Sequence, residues 1–359
     1  MLCRLPRLVW LLLLVLGFSA SPLRAEGIAQ LNAEELEKQP ADPLDGPPLV
    51  TCKAWIIVDG HTGEKLAGHD EKVQRNPASV TKIMTALLVL VLAEKSPEIL
   101  DEVMTFSERA DGTVGSTAAL KAGEKVTVSE LLYGLLLPSG NDASVAFAEH
   151  FGDRLSPDPE KKGYDGFIAA MNKRAEEIGM KDTGYRNTHG LTAEGHLTTA
   201  ADMAILARKG MKLERFRKIV GTRRHASQVE TAEGAQRNVV WRNTNQLLEQ
   251  EGYLGVKTGT TGAAGACLVS CAERDERRLI MVVLGATSSD ARYTDSRNLY
   301  RWAWNELVSD EAAQPKETPM PQSTDQSNNA KPRGAIVLTD KAKKLHSASM
   351  VIDGHNDLP

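Results

Sequence analysis

From about Ala78 to Ala93 the chain reads as a helix that is apolar on nearly every side beyond Lys82, through Ile83, Leu87, Leu88, Leu90 and Val91. A helix with no polar face is stable only in the middle of a protein, so the remaining elements must be built around it. Yet its first turn carries Ser79 and Lys82, three residues apart and so on one helical face, just after Pro77, a residue favoured at helix starts. Burial or a neighbouring cation lowers a lysine's pKa until it can act as a base. A serine hydroxyl beside such a base becomes a nucleophile, and the helix N-terminus favours negative charge developing there. Alone the pattern is weak, because a Ser-x-x-Lys arises about once by chance in a chain of this size.

Two more short motifs raise its weight. Ser139-Gly-Asn141 interrupts what would otherwise run as one helix from Val128 to Phe151; Pro138 and Gly140 break it and push two polar side chains out. One reading has Ser139 relay a proton to a departing amine while the Asn141 amide holds Lys82 and a substrate backbone. A plain inter-helix turn explains the same composition. Lys257-Thr-Gly259 reads as the opening of a strand, where alternation lets Lys257 reach back towards Ser139 and turns the Thr258 hydroxyl to a ligand. Gly259 leaves room for a substrate backbone to pair along that edge. The three motifs fall in order, 60 and 118 residues apart. Together they supply a serine nucleophile, a lysine base and a cation for a carboxylate, the equipment of an active-site serine that acts on D-Ala-D-Ala peptides or penicillins.

The rest of the chain sets bounds on this chemistry. With 43 Lys plus Arg against 47 Asp plus Glu in 359 residues, the net charge of −4 gives no reason to expect a nucleic-acid partner. Arg4 and Arg7, the apolar run Val9–Phe18 and the small residues up to Ala25 read as a secretory signal peptide. That run is too short for the ~20 residues of a membrane span. Residues 26–48 read as a polar N-terminal arm, 49–310 as one catalytic domain and 311–334 as linker. Of the cysteines left after signal removal, Cys267 and Cys271 are too far apart on one strand to pair, so buried thiols are expected.

Strands are expected at Ala54–Val58, near Lys65–Gly68, and at Val256–Thr260, Ala266–Ala272 and Leu279–Gly285. Short hairpins are expected over Val103–Val126. Helices are expected at Gly166–Ile178, Ala200–Lys209 and Ser296–Leu307. A helical middle between two groups of strands makes an α+β domain with one antiparallel sheet and a helical lobe. His189, His196 and His225 look exposed, match no zinc spacing and are read as no metal site.

The chain resembles the serine-type D-alanyl-D-alanine carboxypeptidases, the low-molecular-mass penicillin-binding proteins. The resemblance runs from about Ala54 to Leu307, through Asn76–Thr85, Leu137–Ala143, Gly184–Leu191, Tyr253–Thr260 and Gly285–Leu299. It implies a β-lactamase/transpeptidase-like fold, no cofactor, peptidoglycan stem peptides as substrates and β-lactams as inhibitors. It further implies Ser79 as nucleophile, Lys82 as base, and Ser139 and Asn141 as their helpers. The N–H groups of Ser79 and Thr260 would form an oxyanion hole. Lys257, Thr258, Gly259 and Arg292 would line the substrate's path, with the terminal carboxylate on Lys257, Thr258 and Arg292. The alternatives are a β-lactamase, whose Glu-x-x-Leu-Asn segment is missing between Ser139 and Lys257, and a non-catalytic penicillin or peptidoglycan sensor. Family members often continue into a β-rich domain and an amphipathic anchor; only linker-like sequence follows here, so membrane anchoring is not evident. The tip, 335–359, resembles the start of a zinc membrane dipeptidase, with a His-x-Asp pair at His355 and Asp357. The expectation is a two-enzyme fusion cut short, with that pair inert.

Overall fold

The computed structural model describes residues 46–307. The expected signal peptide, the arm before Gly46, the linker and the dipeptidase-like tip lie outside the described residues.

The described chain opens with a hairpin, β1 (Ala54–Asp59) and β2 (Lys65–His69). A 3₁₀ turn, Ala78–Thr81, then leads into α1 (Lys82–Lys95). There follow β3 (Val103–Thr105), α2 (Glu108–Asp111), β4 (Lys125–Thr127), α3 (Val128–Leu136), α4 (Asn141–Leu155), α5 (Gly163–Ile178), α6 (Ala200–Lys212) and α7 (Glu214–Gly221). The last third holds β5 (Arg224–Glu230), β6 (Gln236–Arg242), β7 (Tyr253–Thr261), β8 (Gly265–Arg274), β9 (Arg277–Ala286) and α8 (Ser289–Trp302). No helix among the described residues is long and apolar enough to cross a membrane.

The principal sheet is antiparallel, in the order β2-β1-β9-β8-β7. Alternation sends Ala54, Ile56 and Val58 of β1 with Ile280, Val282 and Leu284 of β9 into the helical lobe. Trp55 and Ile57 with Met281 and Val283 face the other way, onto Leu299 and Tyr300 of α8. Both faces are covered, which is why β8 and β9 are nearly continuous apolar runs. The start of the described chain is tied to α8: Thr51 N and Cys52 N donate to the Asp295 carboxylate at 3.0 and 2.9 Å. Cys52, Cys267 and Cys271 are free and buried.

The expectation for α1 holds. Its residues from Lys82 to Leu90 are all buried, and it packs against α3, α4, α5, α6 and α7. The expectation of a single sheet is incomplete, because a second sheet stands in the order β3-β4-β5-β6. The expected short hairpins between Val103 and Val126 are one pairing, Val103↔Thr127 to Thr105↔Lys125, closed over a loop that holds α2. The hairpin β5/β6 and α7 were not anticipated. Most of its residues face solvent, and Val229, Val239 and Trp241 are its buried apolar side chains, so the apolar signal is thin.

Candidate active site

The cleft lies where the turn before α1 meets β7. Ser79 stands in the 3₁₀ turn and follows Ala78, held at φ +51°, a left-handed conformation that costs a non-glycine residue energy. Two glycines permit the packing around it. A Cβ on Gly190 would sit 1.9 Å from Ala78 O, and one on Gly259 would sit 2.7 Å from Ser79 N. The loop after α5 and the strand β7 thus press on the nucleophile's backbone from two sides, as close as only glycine allows.

Lys82 is fully buried one turn on. Its Nζ lies 3.0 Å from Ser79 Oγ, 2.7 Å from Asn141 Oδ1 and 2.8 Å from the His189 carbonyl oxygen. The two carbonyls can only accept, so they take two N–H bonds. A neutral amine then points its lone pair at Ser79 Oγ, whose hydroxyl can donate. Burial pushes the Lys82 pKa well below the ordinary lysine value, and the charge of Lys257 pushes it further; Asp142 acts the other way. The neutral form that a base requires is therefore favoured by its surroundings.

Ser139 and Asn141 flank the break between α3 and α4. Ser139 adopts φ +68°, and its buried Oγ has no protein partner among the described residues. Asn141 Nδ2 donates to Val114 O at 2.7 Å, which fixes the amide with Oδ1 towards Lys82. Only one of the two Nδ2 hydrogens is used there, which leaves the other for the substrate backbone this amide is expected to hold. Asp142 accepts from Thr117 Oγ1 and Ala118 N, at 2.6 and 2.8 Å, and so pins the Val114–Ala118 loop beside the break. Trp241 of β6 supports the same loop by donating Nε1–H to Ala118 O at 2.8 Å.

On the sheet side, Lys257 lies inside β7 rather than at its opening, and is 1% exposed. Its Nζ donates to Thr258 O at 2.9 Å and makes no hydrogen bond to Ser139 Oγ. Burial, then the charge of Arg292, lower its pKa to about 7. The Thr258 hydroxyl was expected to face a ligand but is 2.6 Å from Thr244 Oγ1. Thr260 is exposed, and its Oγ1 accepts from Arg292 Nη1 at 2.9 Å. Arg292, buried on α8, also points Nη1 at Gly259 O, 3.3 Å away. The structure thus joins Ser79, Lys82 and Asn141 on the helical wall, sets Gly259 of the sheet wall against Ser79 N and bonds Arg292 to Thr260 on that sheet wall, with Lys257 and Thr258 beside them on β7; Ser139 adjoins Asn141 at the helix break.

The exposure expected of the three histidines is corrected. His196 is fully buried, and His189 and His225 are partly buried. His225 stacks on Tyr133 at 3.7 Å and bonds Glu130 at 2.7 Å. No group among the described residues could hold a metal. Val114, His189, Thr244 and Asp142 were missed. The first two act through backbone carbonyls, which leave no side-chain signature; Asp142 adjoins the second motif and was the one within reach.

A family model for peptidase S11, described as D-alanyl-D-alanine carboxypeptidase, matches residues 41–288. Among curated proteins, DacF of Bacillus subtilis is 36% identical over 256 residues, covering 71% of this chain and 62% of that protein. DacD of Escherichia coli is 33% identical over 269 residues, covering 71% and 64%. Among solved structures, the Streptomyces K15 DD-transpeptidase superposes with a TM-score of 0.68 at 33% identity, covering 73% of this chain and 100% of that one. The chain therefore spans less than two thirds of the length of the DacF and DacD relatives. The match runs through all three motifs from Ser79 to Gly259 and stops short of Arg292, and the chain belongs to the peptidase S11 family, the D-alanyl-D-alanine carboxypeptidases.

Proposed function

We propose that this protein is a serine-type D-Ala-D-Ala carboxypeptidase that removes the terminal D-Ala from peptidoglycan stem pentapeptides. The observation that carries the reading is the Lys82 amine, held by two carbonyls with its remaining position towards Ser79 Oγ at 3.0 Å. Neutral Lys82 takes the Ser79 proton as Oγ attacks the carbonyl between the two D-alanines. The N–H groups of Ser79 and Thr260 receive the oxyanion, worth several kcal/mol of barrier in sites of this kind, about 2.7–4 per donor. Ser139 passes the proton to the departing amine, and D-Ala leaves with an ester on Ser79. Water, activated by the same lysine, then hydrolyses the ester.

Lys257, Thr258 and Arg292 hold the terminal carboxylate, a role suited to two buried cations, the Lys257 ammonium on β7 and the planar Arg292 guanidinium on α8. The Thr258 hydroxyl then exchanges its Thr244 partner for the substrate. A β-lactam presents a strained carbonyl and a carboxylate in the same relation, and so acylates Ser79. Such a substrate lies outside the cytoplasm, which agrees with an exported chain whose signal peptide is residues 1–25.

The test is a time course with purified protein on a stem pentapeptide and a labelled penicillin. D-Ala release together with a stable label on Ser79, both lost in Ser79→Ala, is the expected result. Rapid penicillin turnover without D-Ala release would make the protein a β-lactamase. Labelling without turnover of either would make it a sensor.

A further inference from the structure

The mechanism leaves one buried titratable group beside the nucleophile without a task. His196 is fully buried in the segment before α6, and both ring nitrogens are occupied. Nδ1 accepts from Arg186 N–H at 2.9 Å, and Nε2 lies 3.0 Å from Thr81 Oγ1. Thr81 Oγ1 in turn donates to Ala78 O at 2.9 Å. Each position has one consistent role. Since a backbone N–H can only donate, Nδ1 is unprotonated and Nε2 carries the hydrogen, so it donates to Thr81 and leaves the Thr81 proton for Ala78 O. The chain of bonds therefore runs Arg186 N–H to His196 to Thr81 to Ala78 O.

Its end point matters. Ala78 is the residue at φ +51° immediately before Ser79, and its carbonyl is the one against which Gly190 packs. A left-handed alanine persists only where its surroundings hold it. Among the described side chains, the hydroxyl of Thr81 is what binds that carbonyl, and the imidazole of His196 is what orients the hydroxyl. We infer that His196 is a positioning residue: acting through Thr81 and the Ala78 carbonyl, it holds the strained turn that aims Ser79 Oγ at Lys82. The inference rests on the acyl-enzyme reading given above. Burial keeps His196 neutral, with its pKa lowered to about 4, so the bond pattern does not change across the working range of the base.

The test is a double-mutant cycle on the purified chain, read as the rate of penicillin acylation per titratable Ser79 and as kcat and KM for D-Ala release. His196→Ala and Thr81→Val should each slow acylation by about tenfold to a hundredfold, the penalty for displacing a reacting atom by an ångström or less. KM and the shape of the pH profile should stay as in the wild type, because neither Lys82 nor the carboxylate site is altered. The double variant should lose no more than the worse single one, since both cut the same link. His196→Gln keeps a donor for Thr81 and an acceptor for Arg186 N–H, and should recover most of the rate.

Additive losses, or a full per-site rate with only fewer titratable sites, would overturn the inference in favour of a purely structural histidine. If His196→Ala does not fold, Thr81→Val decides, because it is nearly isosteric: slow acylation supports the link and a wild-type rate refutes it. Wild-type protein that takes no label on Ser79 would refute the acyl-enzyme reading instead, a result distinguishable from labelled wild type with unimpaired variants.

Discussion

The two walls of the cleft each bury one lysine, and they use it in opposite ways. On the helical wall, Lys82 is surrounded by three oxygens, two of which are carbonyls that accept and never donate. On the sheet wall, Lys257 has one backbone carbonyl and a guanidinium neighbour whose charge opposes its own. Burial lowers both pKa values. In the proposed mechanism the same desolvation serves a base where acceptors orient the amine, and an anion receptor where a second cation stands beside it. Identity of the side chain decides neither role; the partners do.

Removing each amine should separate the roles. Lys82→Met keeps the length and apolar volume of the stem, so the protein should fold, while acylation falls by about 10²–10⁴-fold, the usual contribution of a positioned general base. A Lys82→Met protein that still labels Ser79 at an undiminished rate would break the comparison. Lys257→Met should raise KM and leave the acylation step intact at pH values where Lys82 is already neutral. A hydrogen bond to a charged group is worth about 1.5–3 kcal/mol, which corresponds to about 10–100-fold in KM. If Lys257→Met lowers kcat with KM unchanged, the sheet-wall lysine is not a receptor.

The pH dependence has a definite sign on each wall. Lys82 works unprotonated, so the acylation rate rises with pH through its lowered pKa. Lys257 works protonated and loses its charge as pH rises past about 7, so KM should climb on the alkaline side. The product is a bell-shaped kcat/KM, and Lys257→Met should abolish the alkaline rise in KM while moving the acid limb of kcat to higher pH, because Lys82 loses a cation that lowers its pKa. A KM that stays flat on crossing pH 7 in the wild type would refute the assignment. The smallest effect concerns Thr244, whose hydroxyl meets Thr258. Thr244→Val removes the partner that Thr258 gives up when substrate binds, so KM should fall severalfold, about 0.5–1.5 kcal/mol, and an unchanged KM would refute the exchange.

The sequence was most legible where burial is two-sided. The helix α1 and the strands β8 and β9 are continuous apolar runs, and their positions could be read directly. The hairpin β5/β6 was not read, because its outward positions are charged or polar and few of its side chains enter the core. The site followed the same division. Its side-chain chemistry lay in three motifs, but its orientation did not. The direction of the Asn141 amide depends on Val114 O, the second acceptor of Lys82 is a histidine's carbonyl, and the Thr258 hydroxyl turns to a threonine on the segment before β7. Backbone acceptors and partners brought together from distant segments have no spacing along the chain by which to find them.

The glycines pressed against the nucleophile's turn have an evolutionary consequence. Any side chain at Gly190 would overlap Ala78 O, and any at Gly259 would crowd Ser79 N, so inherited change is barred from the positions nearest the reaction. Variation near the nucleophile is therefore channelled to the rim. There Val114 is 71% exposed and Thr260 faces solvent, and a lineage can vary both without touching the turn.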